Sequence, residues 1–331
     1  LLRIASRREP LPLDIWTPGP VRRSSQPWVL MMPGLGGNAD QLSWLAGALA
    51  ARGWPVVVLQ HPGSDAQAVK AALNGQRPPP GAETLRDRLA DVEAVLSAQQ
   101  DGHVPIEGDG VVLAGHSLGG LTALFASGAA PLPGLDGRCR EALQRLPLHN
   151  PSRLIQCQLP EAALPRAAPP PARLRGLILL NSFGSLLWPE PALASLPVPV
   201  LMVGGSMDLV TPPLEEQLAL FQSVRDHLSR LVVVSGGSHF SPVRLSERDE
   251  VLLRLGRELV GTDPLRVQEL LVGISRDFLL SLERTAAGET VQQGSVQQAP
   301  PPGLPPQRRS QLGVTAFVLD GAAARRWRSG L

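Results

Sequence analysis

Short apolar segments alternate with longer amphipathic segments along most of the chain. The apolar segments are rich in β-branched residues and are bounded by Gly and Pro, a pattern typical of β-strands. We predict strands over residues 11–18, 27–34, 55–60, 110–117, 174–181, 198–205 and 230–237. Apolar residues at helical spacing predict helices over 38–53, 82–100, 118–130, 213–228 and 264–285. This alternation indicates an α/β fold with a mainly parallel central sheet flanked by helices.

Two parts of the chain depart from this alternation. Residues from about 129–173 are rich in Pro and too long for an ordinary connection, so we expect an insertion, a lid-like segment over the carboxyl edge of the sheet. Residues 286–311 are rich in Gln, Pro and Gly, and the apolar segment 312–321 gives no indication of its place in the fold. We therefore expect one main domain over 1–285, followed by a low-complexity linker and C-terminal tail over 286–331.

The composition is that of a globular protein. The chain has 331 residues, of which 43% are hydrophobic and 18% are charged, and its formal net charge is +2. This balance argues against a disordered chain and against nucleic acid as a partner. No apolar run reaches the roughly 18–20 residues of a transmembrane helix, and no signal-peptide pattern is present.

The two cysteines, Cys139 and Cys157, both fall within the predicted insertion. Their spacing fits none of the common zinc-binding patterns. Spacing alone leaves two alternatives open. The cysteines are either free thiols of a cytoplasmic protein or a disulfide formed in an oxidising compartment.

The clearest chemical motif follows the predicted strand 110–117. The sequence GHSLG at residues 115–119 has the form G-x-S-x-G, with Ser117 at its centre. A bare motif of this kind also arises by chance, and would then mark only a turn that needs small residues. In the alternative interpretation it is a strand-to-helix elbow that exposes a nucleophilic serine hydroxyl.

Two residues further along the chain favour the nucleophile. Asp208 and His239 each come directly after a predicted strand, and the carboxyl ends of parallel strands meet at one edge of a sheet. The order serine, aspartate, histidine is that of α/β-hydrolases, although both residues would also suit ordinary turns. We predict Ser117 as nucleophile, His239 as base and Asp208 as the acid that orients the base. His61 also follows a strand, but it precedes Ser117 and is assigned to a loop near the pocket.

The oxyanion of a tetrahedral intermediate needs two N–H donors aimed at it. The backbone N–H of Leu118 is predicted to supply one, because it opens the helix after Ser117. The backbone N–H of Leu35, in the segment PGLGG at 33–37, is predicted to supply the other. The glycines of that segment would equally fit an ordinary strand-to-helix turn.

With these motifs in view, residues from about 10–285 resemble the α/β-hydrolases known as predicted dienelactone hydrolases. That group lies near the platelet-activating-factor acetylhydrolases and the bacterial cutinase-like polyester hydrolases. The resemblance rests on PLDIWTP, PGLGGNADQLSWLA, QHPGSD, AGHSLGG, NPSRLIQC, PVLMVGGSMDLVTPPLEEQ and GGSHFS. It implies an α/β-hydrolase fold with the catalytic residues Ser117, Asp208 and His239 and the oxyanion donors Leu35 and Leu118.

The sequence departs from that group at two positions. Pro33 stands where a histidine usually precedes the oxyanion glycine. Ser117 stands where true dienelactone hydrolases have cysteine, so no lactone specificity is inferred. The insertion with Cys139 and Cys157 looks most like that of cyanobacterial members. This similarity implies a disulfide and favours an exported or periplasmic protein over a cytoplasmic one.

We therefore expect a carboxylesterase-type serine hydrolase that cleaves short to medium chain esters through an acyl-enzyme, without metal or cofactor. The alternatives are a lipase or cutinase-like polyester hydrolase, and a non-catalytic binding protein with the hydrolase fold. The substrate pocket is expected to be apolar. Its candidate walls, which could equally be core residues, are Phe183, Trp188, Trp44 and Phe240. The expected partner is a small-molecule or lipid ester, with no nucleic acid, and the expected oligomeric state is a monomer.

Overall fold

A computed structural model describes most of the chain. The described residues are 1–3, 10–19, 26–144, 149–159, 164–165, 168–244, 263–287, 307–311 and 313–329. Residues 145–148, 160–163 and 166–167 of the expected insertion, and 288–306 of the expected linker, lie outside these ranges.

A nine-stranded sheet runs through the described part of the chain. Its strands are β1 (Leu13–Trp16), β2 (Trp28–Met32), β3 (Val56–Leu59), β4 (Val111–His116), β5 (Leu174–Leu180), β6 (Val200–Gly205), β7 (Arg230–Val234), β8 (Gln307–Gln311) and β9 (Val314–Leu319). Their order across the sheet is β1-β3-β2-β4-β5-β6-β7-β9-β8. Strands β3, β2, β4, β5, β6 and β7 are mutually parallel, whereas β1, β9 and β8 pair antiparallel at the two edges. All seven predicted strands are confirmed, with somewhat shorter bounds.

Helices lie on both faces of the sheet. They are α1 (Ser43–Ala50), α2 (Ala66–Leu73), α3 (Leu85–Gln100), α4 (Leu118–Ala126), α5 (Leu135–Ala142), α6 (Ser152–Gln156), α7 (Gln217–Phe221), α8 (Pro264–Ala286) and α9 (Gly321–Ser329). Short 3-10 turns lie at Ala39–Leu42, Ala82–Thr84 and Ala192–Ser195. Over the ranges that the structure describes, no helix combines the length and the apolar character that crossing a membrane would require.

The central strands are buried on both faces. Because successive side chains point to opposite sides of a strand, Leu113 joins the core beneath α3 and α4, whereas Val112 and Ala114 join the core beneath α1 and α8. Burial of each such aliphatic side chain stabilises the fold by about 1.5–3 kcal/mol relative to leaving it exposed. This double burial explains why these strands read as continuous apolar runs instead of alternating ones.

Several helices differ from the sequence prediction. The helix expected over 213–228 is confined to α7, and beyond its carboxyl end the Asp226 side chain accepts the N–H of Leu228 at 2.8 Å, a local hydrogen bond that competes with a helical one. Helices α2, α5, α6 and α9 were not predicted. The amino end of α2 is capped by the Asp65 carboxylate, which accepts the N–H of Ala68 at 3.0 Å.

The segment beyond residue 306 adds two strands to the sheet. The sequence analysis assigned residues 286–331 to a linker and tail and left 312–321 without a place. In the structure β9 pairs antiparallel with β7, with Leu319 opposite Leu231 and Ala316 opposite Val234, and β8 pairs with β9. Leu319 and Ala316 are buried, so this part of the tail completes the core instead of extending from it.

Candidate active site

Ser117 lies in the elbow between β4 and α4. Its φ of 52° and ψ of −119° are rare for a residue other than glycine. Such strain costs on the order of 1–3 kcal/mol and persists where the surrounding structure holds it, as at many active sites. The N–H of Ser117 donates to the carbonyl of Leu180 at 2.9 Å, and its own carbonyl accepts the N–H of Leu121 at 3.1 Å. The sheet and the helix therefore fix the turn from both sides.

The two glycines that flank this elbow are required by close packing. A Cβ on Gly115 would overlap the backbone of Gly119, and a Cβ on Gly119 would overlap the carbonyl oxygen of Met32. In both cases the obstacle is backbone, which cannot move aside as a flexible side chain can. Glycine at these positions lets α4 start directly against β2 and β4, as the motif predicts.

The three residues predicted for catalysis come together at the carboxyl edge of the sheet. His239 Nε2 lies 3.0 Å from Ser117 Oγ, and His239 Nδ1 lies 2.9 Å from Asp208 Oδ2. They follow β4, β7 and β6, which are parallel, so the three loops emerge at the same edge. The distances fit a serine hydroxyl that donates to Nε2 and an Nδ1–H that donates to the carboxylate.

The Asp208 carboxylate accepts four further hydrogen bonds. Oδ1 accepts the backbone N–H groups of Val210 and Thr211, each at 2.8 Å, and Oδ2 accepts the Asn181 amide and the Thr211 hydroxyl, each at 2.6 Å. Burial by itself would raise the pKa of Asp208, but His239 and the hydrogen bonds lower that pKa below its ordinary value of 3.8. The carboxylate is therefore charged and held in one orientation beside His239.

Asn181 and Thr211 are parts of this site that the sequence analysis did not identify. Asn181 directly follows β5 and has a φ of 46°, which Asn tolerates better than most residues. Thr211 lies three residues after Asp208, where its N–H can reach the carboxylate of a turn. The sequence did contain one indication of Asn181, since it is a polar residue directly after β5, the strand between β4 and β6.

His116, inside the elbow, holds the loop of His239. Its Nε2 donates to the His239 carbonyl oxygen at 2.8 Å, and the two rings lie 4.8 Å apart. Burial, followed by the proximity of His239, lowers the pKa of His116 from 6.5 to about 3. His116 is therefore neutral at ordinary pH and adds no charge beside the base.

The two predicted oxyanion donors lie on the two segments that adjoin Ser117. Leu118 is the first residue of α4, whose opening N–H groups have no intrahelical partner. Leu35 follows Gly34, where a Cβ would come 3.2 Å from the Cβ of Ser117. No group in the described ranges accepts the N–H of Leu35 or of Leu118, which leaves both for a ligand.

The four candidate pocket residues fall into two pairs. Phe183 and Trp188 are fully buried in the core beneath α3 and α4, and Trp188 donates from Nε1 to the carbonyl of Ala129 at 3.3 Å. Phe240 and Trp44 are only half-buried and adjoin the His239 loop. The Phe240 ring packs edge-on against the imidazole of His239, with centroids 5.4 Å apart, and Trp44 Nε1 donates to the carbonyl of Pro242 at 3.1 Å.

The described part of the insertion contains α5 and α6, which a disulfide between Cys139 and Cys157 joins. The two cysteines lie 18 residues apart. The N–H of Ser152 donates to the carbonyl of Val210 at 3.1 Å, which places α6 against the loop that carries Asp208. The insertion thus contacts the carboxyl edge of the sheet, and its covering of Ser117 stays a prediction.

A buried carboxylate anchors this insertion. Glu216 is 0% exposed, and six donor atoms lie 2.9–3.1 Å from its two oxygens. The donors are Asn150 Nδ2, Ser152 Oγ, Gln156 Nε2, Ser185 Oγ and the backbone N–H groups of Gly184 and Ser185. Three of them belong to the insertion and three to the loop after β5, so Glu216 ties both to the start of α7.

One further pair of buried ionisable side chains comes from the segment after β3 and from α3. His61 Nδ1 lies 2.9 Å from Asp91 Oδ2, and both side chains are buried. Among the described residues, no group of three or more His, Cys, Asp or Glu side chains is placed to hold a metal ion.

Comparison with known proteins bears on the family and the fold of this chain. A search of curated proteins finds no match to the chain. The sequence profile of the alpha/beta hydrolase family matches residues 29–254, a range that includes β2 except for Trp28, the strands β3 to β7 and the three residues of the Ser117 site. This match and the mostly parallel, helix-flanked sheet confirm the expected fold class. The chain belongs to the alpha/beta hydrolase family.

Proposed function

We propose that this hydrolase is a serine carboxylesterase in which Ser117, His239 and Asp208 act together. The single observation that carries the proposal is the chain of two contacts at His239, 3.0 Å to Ser117 Oγ and 2.9 Å to Asp208 Oδ2. A serine hydroxyl is a weak nucleophile until a base takes its proton and a third group orients that base. Here His239 is placed to act as the base and Asp208 to orient it. The strained turn between β4 and α4 carries the Ser117 hydroxyl.

The proposed reaction has two stages. In acylation, His239 Nε2 takes the proton of Ser117 while Oγ bonds to the ester carbonyl carbon. The tetrahedral intermediate then collapses, the bond to the alkoxy oxygen breaks, and His239 returns the proton to the leaving alcohol. In deacylation a water gives its proton to His239 and attacks the acyl carbon. Ser117 leaves with that proton and the carboxylic acid is released.

The N–H groups of Leu35 and Leu118 would bind the oxyanion in both stages. Each donor of this type lowers a barrier by about 3–4 kcal/mol when it is aimed at the oxyanion beforehand. The proposal is supported by two features. Neither N–H has an acceptor in the described ranges, and both segments adjoin Ser117.

For the substrate we propose esters with short to medium acyl chains. The support is the anchoring of the insertion, which the disulfide and the Glu216 hydrogen bonds attach to the sheet edge. A lipase or polyester hydrolase is the second candidate. One observation favours it, because Met207 and Leu209, on either side of Asp208, are 54% and 67% exposed and could meet an apolar surface.

The test combines covalent labelling with an ester panel. A fluorophosphonate probe should label wild-type protein at Ser117 alone, and Ser117→Ala should abolish labelling and lower kcat by about 10⁶. Ser223→Ala, which changes a buried serine in the turn after α7, is the matched control and should retain both labelling and kcat. A wild-type protein that hydrolyses no p-nitrophenyl ester from acetate to palmitate and resists labelling would refute the proposal and favour a binding protein.

A second pair of substitutions separates the two enzyme candidates. Met207→Ser with Leu209→Ser should leave hydrolysis of dissolved p-nitrophenyl butyrate unchanged in an esterase. In a lipase these changes should reduce activity on a tributyrin emulsion while sparing the dissolved ester.

A further inference from the structure

One buried arginine contacts the segments that carry both candidate oxyanion donors. Arg88 lies on the inner face of α3 and is 1% exposed. Its Nη2 donates to the carbonyl oxygen of Pro33 at 2.5 Å, its Nη1 to the hydroxyl of Ser64 at 2.8 Å, and its Nε to the hydroxyl of Thr122 at 3.0 Å. These partners lie after β2, after β3 and on α4. The guanidinium therefore joins three segments that are distant in sequence.

Two of these hydrogen bonds bracket Leu35. Pro33 lies two residues before it, and the carbonyl of Ser64 accepts the N–H of Gly36, the residue after it, at 2.8 Å. Arg88 thus holds the loop directly on one side of Leu35 and through Ser64 on the other. The direction of the Leu35 N–H follows from the peptide planes that these contacts fix.

The third hydrogen bond reaches the other donor. The hydroxyl of Thr122 accepts from Arg88 Nε and donates to the carbonyl of Leu118 at 2.8 Å. A single hydroxyl can make both contacts, because its oxygen accepts from Arg88 and its proton is donated to the carbonyl of Leu118. Arg88 is in this way coupled to the first turn of α4, where the N–H of Leu118 begins the helix.

We propose that Arg88 is a positioning residue that sets the separation and direction of the two oxyanion donors, an inference that rests on the proposed esterase function. Donors of an oxyanion hole act only when they lie about 2.7–3.1 Å from the developing charge before it forms. A displacement of about 1 Å can cost on the order of 100-fold in rate.

Arginine is the side chain suited to this task. Its guanidinium is planar and presents five N–H donors in fixed directions, whereas the lysine ammonium is a point charge on a flexible stem. Burial of a cation is costly unless hydrogen bonds satisfy it. A side chain needed only to fill the space beneath α3 would be apolar, as Leu85 and Val92 are. The other buried charged residue of this stripe, Asp91, contacts His61.

The test compares Arg88→Gln and Arg88→Lys with Arg175→Gln. Arg175 is a suitable control because it lies at the amino end of β5, where its Nη1 contacts Asp109 at 2.8 Å. Fluorophosphonate titration to completion counts the folded active sites, so that kcat refers to those sites alone. We expect Arg88→Gln to lower kcat per site about 100-fold with KM within threefold, Arg88→Lys to recover part of the loss, and Arg175→Gln to retain wild-type kcat per site.

Hydrogen exchange supplies a second readout that does not need activity. Peptides covering 33–37 and 118–122 should exchange faster in Arg88→Gln than in the wild type, and should be unchanged in Arg175→Gln. Unchanged exchange in these peptides, or kcat per site within threefold of wild type, would overturn the assignment. A wild-type protein without esterase activity or labelling refutes the proposed function instead, and the exchange result still decides whether Arg88 holds the two segments.

Discussion

His116 Nε2 donates a hydrogen bond to the carbonyl oxygen of His239 at 2.8 Å. The residue that precedes the candidate nucleophile therefore holds the backbone of the candidate base. The contact requires a proton on His116 Nε2, and burial beside a second histidine lowers the pKa of His116 to about 3, so the ring is otherwise neutral at ordinary pH. Its consequence can be measured as a dependence of stability on pH.

Replacement of His116 by Gln should make folding stability less sensitive to acid. The pKa of His116 is lowered from 6.5 to about 3 in the folded protein, so between these pH values the unfolded chain binds a proton that the folded chain does not. The contribution of His116 to the free energy of unfolding is therefore largest above pH 6.5. It falls by about 1.4 kcal/mol for each pH unit between pH 6.5 and about pH 3. When the free energy of unfolding is measured by urea at several pH values from 7 to 4, it should fall less steeply with decreasing pH in His116→Gln than in the wild type. The exposed His103→Gln is the control, and equal slopes in all three proteins would contradict the prediction.

Asp208→Asn should reduce kcat by about 10⁴ with little change in KM. An amide in place of the carboxylate removes the charge that stabilises the imidazolium and favours the wrong tautomer of His239. The exposed Asp101→Asn should keep wild-type kinetics. A loss of less than tenfold in Asp208→Asn would exclude Asp208 as the orienting acid.

The same variant has a predicted dependence on pH. The pKa of Asp208 is lowered below 3.8 in the folded protein, so the ionised carboxylate stabilises the fold above that pH. This contribution is lost as pH falls through the folded-state pKa. The stability difference between wild type and Asp208→Asn should therefore shrink on acidification below pH 4, as urea unfolding can measure.

Glu216→Gln should destabilise the protein by about 3 kcal/mol or more. The six groups around this carboxylate are donors, and an amide would turn its own N–H groups toward some of them in a buried site. Glu215→Gln is the matched control. Glu215 is partly exposed and pairs with Arg153 at 2.9 Å, so its loss should cost under about 1 kcal/mol. Equal free energies of unfolding for the two variants would show that Glu216 is not the anchor.

Reduction of the Cys139–Cys157 disulfide should lower the melting temperature by several degrees. A bond that closes a loop of 18 residues restricts the unfolded chain by about 3 kcal/mol in the chain-entropy model. Differential scanning calorimetry with and without reductant measures the change. A Cys139→Ser, Cys157→Ser double variant should melt like the reduced wild type and should not respond to reductant. A double variant as stable as the oxidised protein would contradict the estimate.

The ester panel should show a distinct optimum at short to medium acyl chains. Each methylene that fits an apolar pocket contributes about 0.8 kcal/mol, or roughly fourfold in kcat/KM, until an anchored insertion blocks longer chains. The double cysteine variant, in which α5 and α6 are no longer linked, should accept longer chains and flatten this profile. A kcat/KM that rises steadily to palmitate, or a jump in activity at a lipid–water interface, would instead identify a mobile lipase-type lid.

Local sequence was sufficient for the strands β1 to β7 and for selecting the candidate triad. Apolar runs predict β2 to β7 because residues buried on both faces leave few other structures for such short segments. Ser117, Asp208 and His239 could be selected because parallel strands bring their carboxyl ends to one edge, whatever the details of packing. The motif around Ser117 also specified its own glycines, since the close approach of α4 to β4 is a local requirement.

Tertiary structure decided which residues support those three. Arg88 bonds Pro33, 55 positions away, and the residues of the insertion that bond Glu216 lie 60 or more positions before it. The local pattern of apolar and polar residues does not predict such distant contacts. For the contact of Arg88 with Pro33, the sequence offered only one indication, a charged residue on the buried stripe of α3. The position of β9 in the sheet could not be predicted for the same reason. An apolar segment of strand length does not indicate which strand it will pair with. Phe183 and Trp188 likewise resembled Phe240 as aromatic residues, and only the packing of the chain put the first two in the core and the last one against His239.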